Sequence, residues 1–445
     1  MTTRLRFAPS PTGRLHVGNV RTALLNWLFA RSQGGEMLLR IDDTDAARST
    51  KAFEAAIEAD LLWLGLRWEH RANQSARFPA YERAAERLKA AGRLYACYET
   101  EEELDRRRKI AQATGKPPIY DRAGLRYTKD DLARFKAEGR SPHWRYKLSG
   151  ARREWDDLVR GRQSIDTASL SDPVLIRADG GYLYTLPSVV DDIEFGITHI
   201  VRGEDHVANT GVQAEIFEAL GAAAPMFGHF PLLVGAEGEK LSKRLESLSV
   251  GELREAGYEP MAVNSLLAKL GTSDPVEPRA DFNDLVREFS FAKVGRAPAR
   301  FSEEELKRVN AALVHGLDYA AAKPRLEARG ADLGEEFWNA VRANLVIFND
   351  VDAWARIVEG PIEPVIADQA FAQAAAAALP KGPYDVASWP AFVEAVKAKT
   401  GAKGKALFMP LRQALTGMDH GPEMAPLFAL IGEERAKARL MGKAA

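Results

Sequence analysis

The chain has 445 residues, 46% of them hydrophobic and 28% charged, with a formal net charge of -1 and a single cysteine, Cys97. That length allows roughly two to four domains, and one cysteine excludes a scaffold framed by internal disulfides. Met1 to Arg14 is polar rather than signal-like, and no stretch approaches the ~20 apolar residues of a membrane-crossing helix, so a cytoplasmic protein without membrane attachment is expected.

Leu5 to Ala8 predicts a short strand running into the turn-rich Pro9-Ser10-Pro11-Thr12-Gly13. A helix is predicted from about Gly18-Asn19, with Val20, Ala23, Leu24, Trp27 and Leu28 at helical spacing and a stop at Gly34-Gly35. Glu36 to Ile41 predicts a second strand, ending in the acidic turn Asp42-Asp43-Thr44-Asp45. Phe53, Ile57, Leu61 and Leu64 mark the next helix, ended by Gly65. Strand, helix, strand, helix implies parallel strands with crossover helices. From about Arg77 to Leu183 charge density rises and short elements mix irregularly, as in a large insertion into the first domain. The alternation resumes with a strand at Ile197 to Val201, a helix at Asn209 to Leu220 and a strand at Phe230 to Val234. After Arg244 the pattern is helical. Pro260 opens a helix carrying Val263, Leu266, Leu267 and Leu270, closed by Gly271, and helical periodicity runs through the alanines Ala374 to Ala378 to the end. No internal repeat is visible.

Two segments carry chemistry. Arg6 to Asn19 lies between a strand and a helix, where backbone N–H groups and the helix dipole favour an anion. His16 offers a donor to a phosphate oxygen, and Gly18 leaves room for a flat base against the backbone. A lone His-x-Gly is more often a loop with a satisfied histidine; the whole string Ala8-Pro9-Ser10-Pro11-Thr12-Gly13-Arg14-Leu15-His16-Val17-Gly18 is far more specific. The second segment, Lys240-Leu241-Ser242-Lys243-Arg244, follows Gly235 and Gly238. Its two lysines offer point charges to a triphosphate and to the leaving pyrophosphate. Alone it reads as a solvated basic loop. Taken together, in this order and 240 − 16 = 224 residues apart, the two segments resemble the HIGH and KMSKS signatures of class I aminoacyl-tRNA synthetases. The Pro-Ser-Pro-Thr-Gly string resembles the glutamyl branch; the glutaminyl branch typically has Pro-Glu-Pro-Asn-Gly.

Further strings extend the resemblance over nearly the whole chain. Leu39 to Asp45 is similar to the family's Arg-Ile-Glu-Asp-Thr-Asp, Tyr184 to Asp192 to its Tyr-His-Leu-Ala-Asn-Val-Val-Asp-Asp, and Val201 to His206 to the next strand end. Lys403 to Arg412 resembles a segment of bacterial glutamyl anticodon-binding domains. The resemblance implies an α/β fold: a Rossmann-like parallel-sheet catalytic domain (1–77 and 184–238), an inserted acceptor-end-binding domain (78–183), a stem-contact domain (239–315) and an all-helical anticodon-binding domain (316–445). It implies activation of glutamate with ATP and Mg²⁺, then transfer to the 2′-hydroxyl of the terminal adenosine of tRNA-Glu, tRNA-Gln or both. His16, Lys240 and Lys243 would be catalytic. Thr12, His16, Gly18, Asn19, Lys240, Ser242, Lys243 and Arg244 would hold ATP.

Glutamate needs cations for its side-chain carboxylate and an anion for its ammonium. By resemblance, Arg6, Arg202 and Tyr184 surround the side chain, Ser10 and the Ala8 backbone position it, and Asp42 faces the ammonium, with Ser188 beside them. The family usually has Glu at Asp42 and Asn at Ser188, and water is expected to fill the space that these shorter residues leave. Some relatives carry a zinc site of three cysteines in the insertion. Here Glu99 stands two residues after Cys97, and Tyr120 to Gly124 holds no cysteine, so no zinc is expected and Cys97 reads as a semi-buried thiol. RNA contact has candidate patches at Arg106 to Lys109, Arg152-Arg153 and Lys397 to Lys405, each more often a solvated face. The rival readings are a small-molecule nucleotidyltransferase of the same fold, a catalytically dead RNA-binding paralogue, and a glutaminyl enzyme. The long helical tail, the intact His16 and Lys243, and the Pro-Ser-Pro-Thr-Gly string respectively count against them. The family precedent is a monomer.

Overall fold

The computed structural model describes residues 2–239 and 249–445. Strand β1 (Arg4–Phe7) pairs in parallel with β2 (Glu36–Ile41), Arg4 opposite Glu36, and β2 pairs in parallel with β3 (His70–Asn73). The crossover from β1 to β2 is α1 (Val17–Ser32), and from β2 to β3 it is α2 (Lys51–Trp63). Helix α1 buries Val17, Val20, Leu24, Leu25 and Leu28, more than one stripe, as a helix packed on several sides must. It ends at Gln33, just before Gly34 (φ +59°) and Gly35, where a Cβ would lie 2.3 Å from the Thr3 carbonyl oxygen.

The insertion supplies α3 (Phe78–Ala90), β4 (Leu94–Cys97), α4 (Glu101–Ala113), α5 (Lys129–Ala137), β5 (His143–Tyr146), β6 (Arg152–Asp157), β7 (Gly161–Asp166) and β8 (Val174–Ile176). It is antiparallel throughout: β4, β5 and β8 form one sheet, and β6 and β7 form a hairpin. The chain then returns through α6 (Thr185–Glu194), β9 (His199–Gly203), α7 (Val207–Ala219) and β10 (Met226–Phe230), with β9 and β10 parallel. The Thr198 N–H donates to the Arg4 carbonyl at 3.0 Å, joining this pair to β1. One apolar core runs from the insertion (Tyr81, Leu88, Leu94, Tyr146) to the parallel strands and their helices (Leu38, Leu186, Ile200, Phe217).

The strand expected at Phe230 to Val234 lies earlier. Its ladder with β9 closes at Phe230 opposite Gly203, and Pro231 has no N–H with which to extend it. Leu233–Val234 (β11) instead pairs with Ala299–Arg300 (β12).

Helices follow: α8 (Val250–Ala256), α9 (Pro260–Lys269), α10 (Phe282–Glu288), α11 (Glu303–Gly316), α12 (Tyr319–Arg329), α13 (Glu335–Val341), α14 (Val351–Glu359), α15 (Gln369–Ala376), α16 (Ser388–Thr400), α17 (Lys405–Thr416) and α18 (Met424–Leu440). Two compact units result. The first comprises residues up to 252 with 264–277 and 281–302; the second comprises 253–263, 278–280 and 303–445. The second has two apolar cores with α18 serving both: Leu427 joins Trp338, Phe348 and Trp354, while Phe428 joins Phe392, Leu411 and Leu415. Among the described residues no helix is long and apolar enough to cross a membrane.

Candidate active site

The loop after β1 delivers His16 to the N-terminus of α1 as its N-cap. The imidazole Nδ1 accepts from the Gly18 N–H at 3.1 Å, and the Asn19 side-chain oxygen accepts from the His16 N–H at 3.2 Å, a reciprocal capping box. Nδ1 can accept this N–H only while it carries no proton, so the cap is made by the neutral ring; the desolvation of a ring edge set against the helix start lowers the His16 pKa in the same sense, although the residue as a whole is exposed. With Nδ1 accepting, the proton of the neutral ring sits on Nε2, so the cap itself turns a donor away from the helix. A Cβ at Gly18 would lie 2.9 Å from His16 Cε1, so this glycine makes room for the imidazole as well as for any ligand. Ser10, Thr12, His16 and Asn19 line one open cavity of ≈ 570 Å³, with Phe53 and Ser249 on its other walls. A nucleotide-sized ligand fits such a volume. Lys240, Ser242, Lys243 and Arg244 lie outside the described residues.

The strand ends beside this cavity carry buried charge. Arg6 on β1 and Arg202 on β9 are each 5% exposed, and Arg40 on β2 is fully buried. Arg40 binds Asp42 through Nε (2.7 Å) and Nη2 (3.1 Å), Asp192 through Nη1 (2.9 Å) and the Ser188 hydroxyl through Nη2 (3.2 Å). Asp42 and Ser188, the two departures from the family pattern, therefore share one guanidinium. Burial alone would pull the Arg40 pKa down, but Asp42, Asp192 and Asp191 hold it well above its ordinary value. Burial pushes the Asp42 carboxyl up to about 6 despite Arg40. Both Asp42 oxygens thus serve Arg40, and any ammonium would share them.

Asp192 Oδ1 also accepts from Arg6 Nε at 3.2 Å, and its buried Oδ2 has no hydrogen-bond partner among the described residues. Arg202 donates to the Tyr184 hydroxyl (Nη1, 3.3 Å), to Thr210 Oγ1 (Nη2, 2.7 Å) and to His229 Nε2 (Nε, 3.2 Å). Arg6, Arg202 and Tyr184, predicted to act together, stand with Asp42 and Ser188 around the ends of β1, β2 and β9. Ala8 directly follows β1, and the Asp42 N–H donates to the Pro9 carbonyl at 2.9 Å, tying the phosphate-side loop to the acidic turn. Residue patterns had assigned no role to Arg40, Asp192 or His229. Arg40 and Asp192 sit within strings that had been singled out, whereas nothing local marks His229.

The insertion gathers a second cluster. Cys97 Sγ, Glu99 and His143 place their ligand atoms within 4.8 Å of one another, all buried. Cys97 is fully buried rather than semi-buried, and burial pushes its thiol up to about 11. The Tyr120 hydroxyl donates to Glu99 at 2.8 Å and lies 3.4 Å from Cys97 Sγ, while among the described residues His143 Nε2 has no hydrogen-bond partner. A Cβ at Gly124 would lie 2.7 Å from Cys97 Sγ, so a side chain there would enter this cluster. One thiol, one imidazole and one carboxylate are three potential ligands, one short of the closed four-ligand shell of a structural zinc site, and the Tyr120 phenol is already bonded between them. Of the basic patches, Arg106 to Lys109 is exposed on α4, which buries none of its residues. Lys399, Lys403 and Lys405 are exposed too, while Arg153 pairs with Glu218 at 2.9 Å.

Comparison with known proteins shows the family of the chain. Residues 2–308 match the family model of class I tRNA synthetases (E and Q), catalytic domain, and residues 367–442 match an anticodon binding domain. The chain is 59% identical over 444 residues to "Glutamate--tRNA ligase 1" of Maricaulis maris, covering 100% of both chains. It is 59% identical over 441 residues to "Glutamate--tRNA ligase 2" of Hyphomonas neptunium, covering 98% of this chain and 99% of the relative. Among solved structures it is similar to a glutamate tRNA ligase from Elizabethkingia meningosepticum in complex with its amino acid, with TM-score 0.85 and 27% identity over 99% of this chain and 98% of that one.

Proposed function

Because this chain belongs to the class I tRNA synthetases of the glutamate and glutamine type, we propose that it is a glutamate–tRNA ligase that makes glutamyl-adenylate from glutamate and ATP and transfers the glutamyl group to tRNA. The observation that supports this most directly is the adjacency of two sites at the strand ends: a cavity capped by a neutral His16, and beside it the buried cations Arg6 and Arg202. Guanidinium donors such as those of Arg6 and Arg202 suit an acceptor-only carboxylate better than a carboxamide, which brings its own N–H donors.

The α-carboxylate oxygen of glutamate attacks the α-phosphorus of ATP and pyrophosphate leaves with the bridging electron pair. The 2′-hydroxyl of the terminal tRNA adenosine then attacks the acyl carbon and AMP leaves. No side-chain nucleophile is required; the chain supplies placement and charge. His16 Nε2–H meets a phosphate oxygen, with Thr12, Gly18 and Asn19 around it and Mg²⁺ arriving with the ATP phosphates as part of the substrate. Lys240 and Lys243 stabilise the departing pyrophosphate, with Ser242 and Arg244, a role that rests on their sequence motif alone. Arg6, Arg202 and Tyr184 take the side-chain carboxylate, Ala8, Ser10 and Ser188 shape the pocket, and Asp42 meets the ammonium.

Residues 78–183 bind the acceptor end, 239–315 the stem and 316–445 the anticodon, where splayed bases are read by stacking and edge hydrogen bonds. The protein acts in the cytoplasm as a monomer and folds without structural zinc. Metal analysis checks the last point: one zinc per chain surviving chelation would overturn it. Labelled glutamate offered with separately transcribed tRNA-Glu and tRNA-Gln tests the main reading. Loading of one or both identifies the acceptor, and loading of neither competent tRNA rejects the proposal. Glutamate-dependent exchange of pyrophosphate into ATP is expected only when tRNA is present.

A further inference from the structure

Arg202 donates its Nε–H to His229 Nε2 at 3.2 Å, and arginine carries no acceptor, so Nε2 must present a lone pair. The imidazole proton therefore sits on Nδ1, 2.5 Å from Asp157 Oδ2. All three residues are at least nine-tenths buried. Asp157 is not free to turn. Its other oxygen, Oδ1, accepts the backbone N–H groups of Val159, Arg160 and His229, each at 3.0 Å. The relay runs from the tip of the insertion hairpin β6–β7, through β10, to the end of β9.

Around the Arg202 fork, Nε is taken by His229, Nη2 by Thr210 at 2.7 Å and the His206 carbonyl at 3.5 Å, and one Nη1 hydrogen by Tyr184 at 3.3 Å. Among the described residues this leaves one Nη1–H and the Tyr184 O–H without partners. Two donors side by side fit the two oxygens of a carboxylate and oppose the N–H₂ of a carboxamide.

We propose that Asp157 and His229 are positioning residues that fix the imidazole tautomer and thereby hold Arg202 and Tyr184 as a paired donor for the side-chain carboxylate of glutamate. The inference rests on the reading of Arg202 as a glutamate-binding residue. In the opposite tautomer Nε2–H would turn to Thr210 Oγ1, 3.0 Å away, and face the Arg202 Nε–H donor on donor, so Arg202 would lose its Nε acceptor and compete for the Thr210 oxygen. The low pKa of Asp157, held down to about 2 by His229 and the three N–H groups although burial opposes it, accords with a permanent anion at the head of the relay.

An asparagine at 157 makes a sharp test. Three backbone N–H donors demand its carbonyl oxygen on their side, so its amide N–H₂ faces Nδ1 and imposes the wrong tautomer. Asp157→Asn in the full-length protein should raise the KM for glutamate tenfold or more, leave the KM for ATP unchanged and lower the preference for glutamate over glutamine. His229→Gln offers Arg202 an amide oxygen in place of Nε2 and has no tautomer to set. It should stay within a few-fold of the parent, whereas His229→Leu should match Asp157→Asn. Adding His229→Gln to Asp157→Asn should restore the KM for glutamate; a double variant as poor as Asp157→Asn overturns the relay, even if Asp157→Asn alone is too unstable to assay. Arg202→Lys separates the two levels. No rise in its KM for glutamate rejects the pocket reading, whereas a rise there with none in Asp157→Asn and His229→Leu rejects the relay alone.

Discussion

The two halves of the strand-end region are built on opposite terms. On the amino-acid side the guanidiniums are buried, and those of Arg40 and Arg202 have nearly every donor on an acceptor: Arg40 on Asp42, Asp192 and Ser188, Arg202 on His229, Thr210 and Tyr184. On the nucleotide side His16 and its neighbours Ser10 and Thr12 are exposed along an open cavity, and the histidine is held by one capping bond and its reciprocal. The difference follows from what each ligand brings. A small amino acid with one charge to be read needs a rigid, desolvated frame, because discrimination comes from donors that cannot move to suit a wrong ligand. A triphosphate brings a large charge of its own and can complete a looser site.

The largest effect that tests this contrast is the loss of Arg40. Arg40→Met leaves Asp42 and Asp192 buried without their shared cation, and breaking a buried pair from one side costs about 3–5 kcal/mol. Urea unfolding should show a loss of that order. A loss under 1 kcal/mol would mean that the buried frame is not the rigid element it is here taken to be. The matching change on the nucleotide side should behave in reverse. Asn is as good an N-cap as any residue, so His16→Asn keeps the helix start while removing the Nε2 donor. Pyrophosphate exchange with tRNA present should fall by about a hundredfold to a thousandfold, the usual cost of one transition-state donor, with Tm almost unchanged.

These contrasts bear on how much was legible from residues alone. Strand β2 and helix α2 are legible nearly to the residue, because a short apolar run in one and a helical spacing in the other end at turn-formers: Asp42 to Asp45 after β2, Gly65 after α2. The loop from Ser10 to Asn19 was legible because a ligand that is gripped by backbone forces a dense local string. Arg6, Asp42 and Arg202 lie at strand ends, Tyr184 and Ser188 at the start of α6, all within strings that resemble the family's, and the fold brings these strings together. What holds them was not legible. Asp157 and His229 are 72 residues apart in the chain and sit in segments without local pattern, so only the pairing of the hairpin with β10 reveals them. The same holds for His143, which joins Cys97 and Glu99 only because β5 pairs with β4; a count of cysteines cannot see a mixed donor set. The misplaced strand at Phe230 shows the complementary limit: the apolar run was visible, but its register was set by β9 and by Pro231.

The amino-acid side should also carry a pH signature. Asp157 titrates at about 2 in the folded protein against an ordinary 3.8. A depressed carboxylate contributes stability that is complete above its unfolded value and is lost as pH falls toward the folded one. That difference amounts to about 2 kcal/mol at neutral pH and to about half of it by pH 3. The stability gap between the parent and Asp157→Asn should therefore be widest near pH 7 and narrow on acidification. A gap that stays constant from pH 7 to 3 would remove the charge on Asp157 as its source.

The smallest expected effect separates helix stability from catalysis at a single atom. In Gly18→Ala the new Cβ would stand 2.9 Å from His16 Cε1 and 3.0 Å from Nδ1, so the ring must shift by a few tenths of an ångström and its bond to the residue-18 N–H must stretch. Losing that cap costs about 1 kcal/mol, while alanine in place of glycine within the helix returns about as much. Tm should then barely move, yet the Nε2 proton is aimed differently, and the rate of pyrophosphate exchange should fall several-fold with the KM for glutamate unchanged. If the rate and Tm are both unaffected, the cavity side tolerates a displaced histidine and is looser than its capping geometry implies. If the KM for glutamate rises instead, the two sides are mechanically coupled through the Pro9–Asp42 backbone bond, and the division between a rigid half and a ligand-completed half fails at that link.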